Sequence, residues 1–193
     1  LQSELLFCYH QTFLHSLHHG LQQCFSKALA LVTGELVESI QNLATVWLPA
    51  KTLVAKGLES RFSVHPSGLI MRLTPSGCPW KEHFFALEKE MFVDADVTQE
   101  KDHLPFSKRP VFLVVDRPND FSVHAIPIVA DQPFSKRVPL PEAWAGKREE
   151  ELDQAVGISG CVFVHSNCFL GIHKTLDGAL EMAKLALKAA GYL

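Results

Sequence analysis

Cys161-Val162-Phe163-Val164-His165-Ser166-Asn167-Cys168-Phe169-Leu170-Gly171-Ile172-His173-Lys174-Thr175 is the stretch on which the fold turns. Residues 161–164 and 168–170 read as two short strands joined at the turn pair Ser166-Asn167. A helix then opens near Thr175 and runs to Ala190. Leu176, Leu180, Ala183 and Leu187 recur at helical spacing on one stripe, and Gly191 ends it. A hairpin capped by an amphipathic helix is the building unit of an α+β domain.

The chain before this stretch repeats the theme. Residues 111–116 and 121–129 are strand-like, and Arg117-Pro118-Asn119-Asp120 between them is turn chemistry. Residues 139–143 form a proline-rich connector, residues 142–156 predict a helix closed by Gly157, and residues 94–109 predict a polar surface loop. Pro79 suits the first turn of a short helix in which Trp80, Phe84, Leu87 and Met91 share a face. Residues 61–64 and 69–73 alternate like strands around His65-Pro66-Ser67-Gly68, which predicts another hairpin.

Further upstream, Leu29, Val32, Leu36, Ile40, Leu43 and Val46 mark a helix over residues 25–47. Pro49 interrupts it, and a second helix follows over residues 50–60, with Leu53, Val54 and Leu58 inward. Residues 1–20 carry four of the ten histidines with irregular apolar spacing, so they are expected to be loosely structured or helical only in context. The pentapeptide Pro-Phe-Ser-Lys-Arg occurs at 105–109 and 133–137 in unrelated surroundings and reads as coincidence. The expected class is α+β, a mixed or mostly antiparallel sheet with flanking helices, preceded by an N-terminal helical segment. The expected division is a segment or linker over 1–24, a helical segment over 25–60 and an α+β domain over 61–193.

Composition narrows the function classes. With 193 residues, 47% of them hydrophobic, the chain can bury a core of its own. A formal net charge of −3 excludes a broad nucleic-acid coat but leaves room for a local basic pocket. No apolar run approaches the roughly eighteen residues that span a bilayer, and no signal peptide is present, so no membrane partner is expected. The first residue is Leu1, and the chain reads as an excised piece. Five cysteines, an odd number without a Cys-x-x-Cys pair, point to a reducing, intracellular compartment with thiols packed as small hydrophobes.

The chemistry-bearing residues gather in a few places. At Gly171-Ile172-His173-Lys174-Thr175 a glycine permits close backbone approach, a helix N-terminus attracts anions, and His173 and Lys174 add donors. The plainer alternative is a Thr175 N-cap beside a surface histidine. In Cys78-Pro79-Trp80-Lys81-Glu82-His83, Lys81 and His83 could line a cleft with Trp80 as its wall, or the segment is a Trp-anchored helix start. His15, His18 and His19 could clamp a metal on a helix face, or form a solvated cluster. Glu149, Glu150, Glu151 and Asp153 read as a solvated face. There is no Walker A loop, GxGxxG, HExxH, GxSxG or spaced Cys/His zinc site, so no catalytic or metal-ligating set is assigned.

Several rarer words carry a resemblance. Trp47-Leu48-Pro49-Ala50 with Leu53-Val54, then Pro66-Ser67-Gly68 and Cys78-Pro79-Trp80-Lys81-Glu82-His83, lie in the same order as in the melanocyte-proliferating-gene (Myg) exonuclease family. So do Pro139-Leu140-Pro141-Glu142-Ala143-Trp144-Ala145-Gly146, Glu151-Leu152-Asp153, Gly157-Ile158, Gly160-Cys161, Phe163-Val164-His165 and Gly178-Ala179-Leu180 with Met182-Ala183. The chain resembles that family over residues 25–190, and through it the DHH phosphoesterases. The resemblance implies a 3′–5′ RNA exonuclease of mitochondrion and nucleus. It also implies that the catalytic Asp- and His-rich motifs, which bind two divalent metals, usually manganese, sit in an N-terminal domain whose motifs do not occur here. This chain would be the C-terminal, substrate-binding half, inactive alone, with that N-terminal DHH-like domain and RNA or nucleotide as partners. Gly171, Ile172 and His173 stand where such enzymes carry Gly-Gly-His, and Ile172 departs from the pattern because a β-branched residue resists positive φ. On this reading His173, Lys174, His165 and Ser166 share a pocket, joined by Lys81 and His83. The alternative is a non-enzymatic interaction or dimerisation module, with a homodimer as its natural state.

Overall fold

The structure is a computed structural model that describes the backbone of residues 2–74, 77–92, 106, 108–132 and 134–193, with side chains from Gly20 onward. Most of the loop expected over 94–109, and the side chains of His15, His18 and His19, lie outside the described residues. The chain forms two compact units, Leu1–Val46 and Trp47–Leu193. The sequence reading placed its divisions after residues 24 and 60.

The first unit is helix α1, Gln2–Asn42, continued by a π-helical stretch Leu43–Trp47. Residues 2–20 are helical from Gln2 onward; no proline interrupts the run before Pro49. The apolar stripe extends further back than the sequence suggested. Leu21, Phe25, Leu29, Val32, Leu36, Ile40 and Leu43 are between 49% and 68% exposed.

The second unit contains α2 (Leu48–Glu59), α3 (Arg61–Val64), β1 (Ile70–Leu73), α4 (Trp80–Met91), β2 (Phe112–Asp116), β3 (Phe121–Ala125), α5 (Glu149–Val156), β4 (Cys161–Val164), β5 (Leu170–His173) and α6 (Leu176–Ala189). Its sheet has the order β1-β2-β3-β5-β4. β1 runs parallel to β2, with Ile70 beside Phe112, and the other three pairings are antiparallel. This is the expected α+β class with a mixed sheet. The parallel pair needs a crossover, and α4 lies within it.

Residues 61–64 and 142–156 differ from expectation. Residues 61–64 form α3 instead of a strand, so no hairpin joins them to β1. Arg61 explains the difference: its side chain is 8% exposed and donates to the Leu58 carbonyl at 2.6 Å. That contact keeps the chain coiled after α2. The helix expected over 142–156 divides into a 3₁₀ turn, Glu142–Trp144, and α5. Between them Gly146 adopts φ 72°, which an α-helix cannot contain. Gly157 closes α5 at φ 85° as the sequence indicated.

Strand alternation sorts the core into two layers. Ile70, Phe112, Val114, Val123, Ala125 and Val164 face α6 and α5, where Ala179, Met182, Ala183, Leu187 and Leu152 complete one cluster. Met71, Leu73 and Leu113 face the other way and pack with Val54 and Leu58 of α2 and Phe84 and Leu87 of α4. Arg137 ties this second layer together. Its Nη1 and Nη2 donate to the Glu88 carboxylate at 2.5 and 2.6 Å, and it also donates to the carbonyls of Pro110 and Pro127. The side chains of the pair are 1% and 5% exposed.

Candidate substrate-binding surface

Within the second unit, the face of β3, β5 and β4 on the α2–α4 side carries no described helix. α2 and α4 cover β1 and β2, and the sheet continues beyond them. Alternation puts Ser122 and His124 of β3, Leu170 and Ile172 of β5, and Phe163 of β4 on this open half. The register supports the placement, with Ser122 beside Ile172, His124 beside Leu170 and Phe163 beside Ile172. His124, Leu170, Ile172 and Phe163 remain half-buried although they lie within a sheet. The Arg148 guanidinium lies 4.7 Å from the Phe163 ring centroid, and the His165 ring lies 4.5 Å from that of Phe169.

Where this open half meets the start of α4, a cleft of about 450 Å³ is lined by Trp80, Val115, Arg117, Ser122, His124 and Leu170, among others. Ser122 is 1% exposed and forms its floor. Its hydroxyl and the His124 Nε2 share a hydrogen bond of 3.0 Å, the ring tautomer deciding which donates. Burial, with the positive charges of Lys81 and Arg117, drives the His124 pKa down to about 4. The imidazole is therefore neutral at physiological pH. Arg117 reaches the Asp120 carboxylate through Nε at 3.1 Å. Trp80 is half-buried and meets Phe84 edge-on at 6.0 Å, with the Lys81 ammonium 6.0 Å from its ring centroid.

The residues singled out from sequence fall in three places. Gly171 and His173 are in β5, not in a loop, with Gly171 beside Val123. A Cβ on Gly171 would lie 3.1 Å from Leu140 and 3.2 Å from Met182, so the missing side chain serves close packing. His173 is 2% exposed, with Nε2 at 3.0 Å from the Ser159 carbonyl and Nδ1 accepting from the Thr175 amide at 3.0 Å. Both ring nitrogens are thus engaged inside the fold. Thr175 caps α6 by accepting from the Gly178 amide, and Lys174 is exposed beside it. His165 and Ser166 sit at the β4–β5 turn, where the His165 Nδ1 accepts from the Asn167 amide. Lys81 and His83 are on α4. Lys81 is exposed near the cleft, whereas His83 is 3% exposed and bonded to the Trp47 carbonyl at 2.8 Å.

The sequence reading named Trp80 and Lys81 but missed Arg117, Ser122 and His124. The available signal was the alternation in Phe121-Ser122-Val123-His124-Ala125, where polar residues occupy one face of a buried strand. The thiols at Cys161 and Cys168 are free and buried, and burial with the Asp153 carboxylate pushes Cys161 up to about 12, so it stays protonated. Among the described residues no three His, Cys, Asp or Glu side chains gather as a metal ion would require. No helix there is long and apolar enough to cross a membrane.

Residues 9–187 match the family model MYG1_exonuc, described as uncharacterised protein family UPF0160. The chain is 37% identical over 171 residues to the human protein named MYG1 exonuclease, covering 88% of this chain and 42% of that protein. It is 39% identical over 163 residues to the rat MYG1 exonuclease, covering 84% of the chain and 39% of that relative. Against the MYG1 protein of Dictyostelium discoideum the identity is 41% over 161 residues, or 82% and 44% of the two. The chain therefore spans about two fifths of the length of these relatives. No solved structure matches it.

Proposed function

This chain belongs to the MYG1_exonuc family (UPF0160), and on that premise we propose that it is the C-terminal, substrate-gripping part of a nuclease-like protein. It is the portion that holds an RNA strand and does not itself cut it. The parent reaction is 3′–5′ exonucleolytic hydrolysis of RNA of the DHH phosphoesterase kind, in mitochondrion and nucleus. Its divalent metals, manganese in type, are held by an N-terminal domain that this chain does not contain. The metals would activate water and steady the leaving oxygen when bound there. On this reading, the part of this chain's own residues is to bind and orient the strand.

The observation that carries this reading is the open half of the sheet. Half-buried Phe163 and His165 offer ring faces for bases, as single-strand binders use them. Arg117, Lys81 and Arg148 border the surface, with Lys174 following β5, giving a local basic patch on a chain of net charge −3. Lys81, His165, Ser166 and Lys174 would touch RNA, while Gly171, His173, Thr175 and His83 hold the strand, turn and helices that present them. The test is fluorescence anisotropy of a labelled single-stranded RNA with added manganese. The expected result is saturable, salt-sensitive binding with the RNA left intact. Degradation by this chain alone, or no binding at low salt, contradicts the reading.

A second reading, a dimerisation module, draws on α1. Leu21, Phe25, Leu29, Val32, Leu36, Ile40 and Leu43 follow 4-4-3-4-4-3 spacing. An eleven-residue repeat keeps such a stripe aligned along a nearly straight helix. Lys27 and Glu38 fall on the opposite face, so a second copy of α1 is the matching occupant. Sedimentation at micromolar concentration decides: a dimer that Leu36→Glu dissociates supports this reading, and a monomer removes it.

A further inference from the structure

We propose that the cleft between β3 and the start of α4 is a mononucleotide subsite, in which the Trp80 indole stacks on the base and the Arg117 guanidinium pairs with the phosphate. The proposal names a ligand for part of the open sheet surface, and it rests on the reading of that surface as nucleic-acid-binding.

The cleft's volume of about 450 Å³ lies within the range of small-ligand sites. Its lining divides by chemistry. Trp80, Val115, Pro118 and Leu170 give apolar walls, and Arg117, Ser122 and His124 are the polar groups. A flat, partly apolar and anionic ligand satisfies both sets. Inorganic phosphate would leave the indole unused, and an uncharged ring would leave the guanidinium unused.

Trp80 is fixed for stacking. Its edge-on contact with Phe84 at 6.0 Å sets the indole against a fully buried ring. A ring held in place loses little freedom when a base covers it, and stacking tolerates any base.

The charges also converge. Lys81 and Arg117 both act on His124 with positive charge. Two of the three carboxylates on adjoining segments are engaged away from the cleft, and the third shares Arg117. Asp116 accepts from Arg72 and Thr74, Glu82 accepts from the Trp47 indole N–H at 3.1 Å, and Asp120 pairs with Arg117. The Asp120 pair uses the Arg117 Nε, and its terminal nitrogens have no partner among the described residues. Those nitrogens suit phosphate oxygens, which guanidinium binds in bidentate fashion.

Ser122 and His124 complete the subsite as a neutral pair. A hydroxyl and an uncharged imidazole can each donate or accept, so they can meet a base edge or a ribose hydroxyl without competing for the phosphate.

The experiment titrates the 193-residue chain with adenosine 5′-monophosphate, adenosine, inorganic phosphate and a short RNA oligonucleotide in parallel. Histidine ring signals and tryptophan fluorescence are recorded, with Trp80→Phe used to assign the Trp80 signal. The monophosphate is expected to shift His124 and quench Trp80 saturably, and adenosine or phosphate alone to bind at least about tenfold more weakly. Arg117→Gln should weaken monophosphate binding by about tenfold. Trp80→Leu should abolish the preference for nucleotide over phosphate, and Trp80→Phe should retain it. Equal binding of phosphate and monophosphate overturns the proposal in favour of a simple anion site. RNA binding with His124 and Trp80 silent overturns it while leaving the proposed function intact. Absence of binding by both RNA and monophosphate overturns both.

Discussion

His173 and His124 lie on the neighbouring strands β5 and β3, and alternation turns them to opposite faces of the sheet. His173 has both nitrogens engaged, to Ser159 and Thr175, and its ring packs against Gly178. Replacing it with alanine removes those bonds and opens a cavity. We expect His173→Ala to cost about 2–4 kcal/mol in urea unfolding. A change below about 0.5 kcal/mol would contradict this structural role.

His124 has a different signature, in pH. Its folded-state pKa of about 4 lies below the ordinary value of 6.5. Between these two the unfolded chain binds the proton and the folded chain does not, so stability falls as pH drops from about 6.5 to 4 and this contribution levels off below. The expected size is on the order of 3 kcal/mol. His124→Asn should flatten the stability profile in that window relative to the unaltered chain, and an unchanged slope would contradict the assignment.

At the scale of elements, legibility followed local chemistry. The turn at Ser166-Asn167, the Gly157 cap and the Thr175 cap were readable because each depends on a few neighbouring residues. The α3 segment was not, because the alternation of Arg61 to Val64 suits a strand and the contact that decides otherwise comes from α2. By sequence Gly171-Ile172-His173 falls between a strand ending at Leu170 and a helix opening near Thr175, and its strand character is hidden for a related reason. The sequence does not reveal that β3 pairs with it, and that pairing makes it a strand.

The junction of β5 and α6 provides a stringent test. A Cβ built on Gly178 would lie 1.8 Å from the His173 ring. Gly178→Ala normally favours a helix, but here it should destabilise by roughly 2 kcal/mol or more because the ring has no room to retreat. A stabilised Gly178→Ala variant would refute that packing. In the other layer, Arg137→Met leaves the Glu88 carboxylate buried without its partner. It should cost about 3–5 kcal/mol by thermal or urea unfolding, and a loss under 1 kcal/mol would contradict the burial of the pair.

For the whole molecule, the sheet's asymmetry joins fold to function. Four helices cover the two layers unequally, α5 and α6 on one side and α2 and α4 over only part of the other. The sequence disclosed the strands and the helices but not which half of which face stays open, since that depends on strand order. The family resemblance was legible from rare Trp- and Pro-containing words, and residues 9–187 match the family model. Arg117, Ser122 and His124 were missed because they meet only when β2, β3 and α4 assemble.

The open face is the central claim, and photo-crosslinking tests it most directly. Single-stranded RNA carrying 4-thiouridine would be irradiated with the chain, and the attached peptides mapped by mass spectrometry. The account predicts crosslinks within residues 77–81, 117–124 and 163–172, on α4, β3, β4 and β5. Crosslinks confined to α5 and α6, or their absence at saturating RNA, would contradict it.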